Sequence, residues 1–164
     1  MPSRHSAVRE GLIAGILGAT SVALWFLIVD SMAGRPFHTP AILGTALLSL
    51  LRSGANEGPF VQVALYTLFH YGAFSIVGIV LAHIVHQAEA EPAVLAGLLI
   101  LFVAFETGFY GLSALLSQAE LLGNLAWYQI AAGNLLASVS MGVYMWRTHP
   151  SLGTEFAHAL GGTE

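Results

Sequence analysis

The sequence predicts an all-α integral membrane protein: a four-transmembrane-helix bundle with a short interfacial or re-entrant helix between helices 1 and 2. Three observations carry this prediction. Of 164 residues, 56% are apolar and only 9% are charged, whereas an ordinary soluble domain is about 25% charged. The mean hydropathy is +0.75. The charges avoid four long apolar runs, at 11–29, 60–82, 93–117 and 124–146, with Glu106 as the single exception.

Each run is 19 to 25 residues long, and about 20 helical residues cross a hydrocarbon core of ~30 Å. Backbone groups in lipid must be satisfied within the segment, so the runs are helices. The alternating pattern of a membrane β-barrel is absent. The first run follows Arg4 and Arg9, and Ser31, Met32 and Ala33 resemble a signal-peptide cleavage site. At 19 residues the run exceeds the usual apolar length of a signal peptide, about 7–15, so it is expected as a retained helix. Within it, Gly11 and Gly15 form a small-xxx-small motif that Gly18 extends, a pattern suited to close helix packing.

The connection to the second run holds the short apolar stretch 41–51. Thr39 is the expected N-cap of this helix and Pro40 its first helical residue. Arg52, Ser53 and Gly54 end it. Gly34, Pro36 and Pro40 predict a defined turn before it. Asp30 and Arg35 are expected to pair there at headgroup level, with Arg35 also placed to meet a lipid phosphate. The remaining loops are short, which leaves no room between spans for a soluble catalytic domain. Trp127, Tyr128, Tyr144 and Trp146 lie at the two ends of the fourth run, as interfacial aromatics do. Residues 1–150 thus read as a single transmembrane domain and 151–164 as a polar C-terminal tail. Arg4, Arg9 and Arg147 fall on one side of a four-span protein and Arg35 and Arg52 on the other. The pair flanking the first span favours cytoplasmic N- and C-termini in the cell membrane.

Composition excludes several classes. Disordered chains are charge-rich and poor in apolar residues. Nucleic-acid binding requires clustered basic charge, and here five arginines stand without a lysine. The absence of cysteine removes disulfides, thiol catalysis and iron–sulfur ligation. No soluble catalytic motif is present, and no enzymatic reaction is assigned.

One polar layer stands out. His70, Glu106 and Asn134 fall near the centres of the second, third and fourth runs, and Thr20 and Ser21 near the centre of the first. Gln62, Tyr66 and His70 share one helical stripe, and Glu106, Tyr110 and Ser113 another. A carboxylate at this depth costs at least a few kcal/mol unless it faces a partner. His70 is its expected partner, with Asn134 next. The layer reads either as a site for proton relay, ion transport or cofactor contact, or as interhelical hydrogen bonding that holds the bundle together.

His70 with Glu106 supplies two metal ligands where most sites need three or four. A bis-histidine haem would need a matching histidine on a second span, and no other span contains one, so a homodimer or another subunit would have to supply it. His70 alone remains a candidate ligand for haem or a pigment, and the sequence requires no cofactor. His83 and His86 close the second helix ahead of Glu89 and Glu91, a candidate for metal binding or pH sensing. His5, His149 and His158 are expected on the same side. The leading expectation is an accessory or assembly subunit of a membrane complex, or a homo-oligomer, acting through its transmembrane surfaces in the lipid bilayer. The alternatives are a proton-coupled transporter or channel built on His70 and Glu106, and a membrane-embedded haem, pigment or metal protein.

Overall fold

The computed structural model describes residues 4–50, 58–88 and 127–149. Among these residues all regular structure is helical: α1 Arg4–Met32, α2 His38–Leu50, α3 Pro59–Ala88 and α4 Trp127–Thr148. The expected third span, 93–117, and the tail, 151–164, lie outside the described residues. Two segments, Ala7–Met32 and Pro59–Gln87, are long and apolar enough to cross a membrane. Both α1 and α3 outrun the apolar stretches 11–29 and 60–82, because the backbone ladder continues through polar residues at the helix ends. The expected span 124–146 overlaps α4, which has 22 residues.

Local chemistry sets the helix boundaries. Gly34 ends α1 with φ +70°. Its N–H donates to the Ser31 carbonyl at 3.0 Å, and the Arg35 N–H to the Asp30 carbonyl at 2.9 Å. These two bonds form a Schellman closure, which needs a left-handed residue at Gly34. At the other end of the turn, Phe37 is also left-handed, with φ 68°, and its carbonyl accepts from the Ala41 N–H at 3.1 Å. Three expectations for this turn are corrected, the first being Pro40, which is not the first residue of α2 but the third. Thr39 is not the N-cap of the short helix but its second residue. The cap is the Asp30 carboxylate, whose Oδ2 accepts from the Thr39 N–H at 2.7 Å while Oδ1 accepts from the Thr39 hydroxyl at 2.8 Å. The Asp30 side chain therefore bonds Thr39 rather than Arg35. At the start of α3, the Gly58 carbonyl accepts from the Val61 N–H at 2.9 Å. Pro59 follows at the first helical position, where its missing N–H costs nothing.

Helix α1 is the centre of the packing, antiparallel to both α3 and α4, which meet each other mainly through side chains. Its contact with α3 is backbone on backbone. A Cβ on Gly11 would lie 2.7 Å from the Gly78 carbonyl oxygen, and one on Gly15 would lie 2.8 Å from Ser75 Cα. The small-xxx-small motif therefore meets a glycine on the facing helix, and only bare backbone fits there. Beside this seam α1 also meets α4, with Gly18 facing both the Met141 thioether and the Phe74 ring of α3, and Gly133 against Val22, Trp25 and Phe26. The Trp25 indole N–H donates to the Gln129 carbonyl at 2.9 Å. Helix α2 lies along the first part of α3, with Gly44 seated on the Gln62 backbone. Ala14, Ala82, Val85, Met141 and Met145 form the buried core where α1, α3 and α4 converge.

Candidate functional site

The antiparallel register of α1 and α3 fixes two polar clusters, one halfway along the helices and one at their end. The midway cluster is built on His70, which is buried on α3. Its Nε2–H donates to the Ala19 carbonyl of α1 at 3.1 Å. The Tyr66 ring stacks on it with centroids 5.6 Å apart, and Phe74 packs at 4.7 Å. One residue on, the Thr20 hydroxyl donates to the Ile16 carbonyl at 2.7 Å, so at 3.1 Å it accepts from the Tyr71 hydroxyl. Ser21 returns its hydroxyl proton to the Leu17 carbonyl at 2.9 Å. His70, Tyr66 and Tyr71 also line a cleft of about 210 Å³ that reaches Asp30 and Phe37 at the turn.

Of the residues expected in this layer, the structure thus brings Tyr66 and His70 together with Ala19 and Thr20. Glu106 and Tyr110 lie outside the described residues. Asn134 is half-buried on α4, directly after Gly133, which packs against Val22, Trp25 and Phe26 of α1.

The second cluster joins three helix ends. Glu10 stands near the start of α1, His86 in the last turn of α3, and His149 directly after α4, where its N–H still donates to the Met145 carbonyl at 2.9 Å. Glu10 Oε2 lies 2.8 Å from His86 Nε2 and 3.1 Å from His149 Nε2. Each ring therefore carries a proton on Nε2 and donates it to the same carboxylate oxygen. The two imidazoles meet edge to face, with centroids 4.8 Å apart at 73°. The side chains of His86, Glu10 and His149 are 13%, 23% and 9% exposed. One potential ligand atom from each residue lies within 4.8 Å of the other two.

His83, three residues before His86, has a different place. It is exposed, and its Nδ1–H donates to its own helix at the Ile79 carbonyl, 2.9 Å away. Sequence reasoning picked out His86 and placed His149 on the same side, but passed over Glu10. The available signal was a carboxylate immediately ahead of an apolar run, with histidines closing two later runs on the same expected face. Linking the three required the helix register, which hydropathy does not supply.

No protein family, curated protein or solved structure matches this chain.

Proposed function

We propose that the chain is a small multi-pass integral membrane protein that acts through its transmembrane surfaces, as an accessory or assembly subunit of a larger membrane complex. In this reading the spans are 11–29, 60–82, 93–117 and 124–146, with both termini cytoplasmic.

The observation that carries it is the apolar character of the outward faces. Leu68 is 74% exposed, Ile76 66% and Leu135 62%, and Leu24, Ile28 and Val139 are each more than half exposed. Water disfavours such surface by roughly 25 cal/mol per Å², whereas hydrocarbon does not. Inside the bundle, helices with bare glycine seams and back-bonded hydroxyls make the contacts expected where no hydrophobic effect drives association.

The test is fractionation of cells expressing the full chain, an alkaline carbonate wash, and extraction in mild detergent with measurement of mass. The expected result is retention in the washed membrane and purification with a stoichiometric second membrane protein. Release by carbonate overturns the membrane assignment. A chain that purifies alone, as a monomer or as a homo-oligomer, overturns the subunit assignment.

A further inference from the structure

We propose that Glu10, His86 and His149 bind one divalent transition-metal ion, zinc or ferrous iron, at the end of the bundle where α1 begins and α3 and α4 finish. The argument starts from the donor set. Two imidazole nitrogens and one carboxylate oxygen are the ligands of many three-residue zinc sites, and the same set with open positions suits non-haem ferrous iron.

The geometry agrees with that chemistry. With metal–ligand bonds of about 2.0–2.2 Å, neighbouring ligand atoms of a tetrahedral site lie roughly 3.3 Å apart. Two of the three edges are already 2.8 and 3.1 Å, and no pair of ligand atoms is separated by more than 4.8 Å. The two short edges open slightly, and the third, between the two imidazoles, closes by no more than about 1.5 Å to reach the tetrahedral spacing. Each ligand rides on a different helix end, so the scaffold, rather than one flexible loop, holds the three together.

Binding exchanges one set of bonds for another. Each ring now donates Nε2–H to Glu10. To offer an Nε2 lone pair to the ion, a neutral ring moves its proton to Nδ1, with no net release. A charged ring must lose a proton to bind, so the ion competes with protons for the ligands. Three protein ligands leave a fourth position for water or for a donor from another molecule. The inference rests on the helix ends and not on what covers the transmembrane faces. It is therefore read on the detergent-purified chain, whatever its mass and whichever partner it carries.

The experiment uses the full chain with a histidine-free tag, stripped with chelator and titrated with cobalt(II) as an optical probe, then with zinc(II) in competition. One cobalt(II) per chain is expected, with visible ligand-field bands that zinc(II) abolishes. Glu10→Gln, His86→Ala and His149→Ala are each expected to weaken zinc(II) binding at least about tenfold, since losing even an outer-shell partner costs that much. His83→Ala is expected to leave binding unchanged. His149→Asn keeps a side-chain N–H for Glu10 but removes the metal ligand, so it separates ligation from folding, and helicity by circular dichroism is followed for every variant. Binding in the wild type no tighter than in a Glu10→Gln, His86→Ala, His149→Ala triple variant overturns the proposal. So does a folded His149→Asn chain that binds zinc(II) as tightly as the wild type.

Discussion

Asp30 holds Thr39 through both carboxylate oxygens, one on the backbone N–H and one on the hydroxyl, at 2.7 and 2.8 Å. The same residue's carbonyl closes α1 by accepting from Arg35. One buried aspartate therefore ends one helix and begins the next, and fixes the angle of the turn between them. Asp30→Ala is expected to destabilise the protein by about 1–2 kcal/mol, the upper part of the range for losing a helix cap. Asp30→Asn retains one acceptor and should cost less, and Thr39→Val less again. Thermal melts in detergent give the order, and hydrogen exchange should place the loss in α2.

Phe37 is left-handed with more than half of its surface exposed. A bulky L-residue in that conformation costs roughly 1–2 kcal/mol, and little packing offsets it here. Phe37→Asn is expected to raise the melting temperature, because asparagine tolerates the conformation. Phe37→Val, branched at Cβ, is expected to lower it. Equal melting temperatures for the two variants would show that the turn can adopt another path.

Gly15 and Gly78 meet where α1 crosses α3. A Cβ on Gly78 would lie 2.6 Å from the Gly15 nitrogen and 2.9 Å from its Cα. These neighbours are backbone, so neither can swing away. Gly78→Ala and Gly15→Ala are each expected to cost about 1–3 kcal/mol, as overpacking does. Gly72→Ala and Gly142→Ala face open space and serve as matched controls that should not lower the melt and should raise it slightly, since alanine is favoured over glycine in a helix interior by about 0.5–1 kcal/mol. Chemical denaturation of all four in one detergent decides the comparison.

His70 separates packing from hydrogen bonding. His70→Phe keeps an aromatic ring between Tyr66 and Phe74 and loses the bond to Ala19, for an expected cost of about 0.6 kcal/mol. His70→Ala also empties the ring's volume and is expected to cost about 2 kcal/mol or more, as large-to-small core changes do. Near-identical losses would mean that the bond to Ala19, and not the ring packing, is what His70 contributes to stability.

Much of the helical framework was legible in the sequence, and most of the pairing was not. Hydropathy located α1 and α3, because about 20 apolar residues in a row have few other uses. Gly11 and Gly15 marked a seam, although only the structure supplies Gly78 as its counterpart. Relative height along the two helices was legible too: residues near the centres of the first two runs, Thr20 and Tyr71, do meet. Rotation and register were not. His70 invited pairing with a side chain, and its described partner is the Ala19 backbone carbonyl, which carries a second lone pair beyond the one its own helix uses and leaves no mark in a sequence. Sequence proximity pairs Asp30 with Arg35, whereas its carboxylate takes the freed Thr39 N–H at the start of the next helix. Glu10 escaped notice because it lies just outside the apolar run, where an acidic residue is unremarkable until two histidines are known to meet it.

The clasp at Glu10 also sets a timetable. Its partners follow 76 and 139 residues later in the chain. At a synthesis rate of about 5–20 residues per second, the second partner emerges roughly 7 to 28 s after Glu10. Throughout that interval the glycine face of α1 is already made, while the helix that covers its second flank is not. Until α4 follows, that flank of α1 waits for its cover.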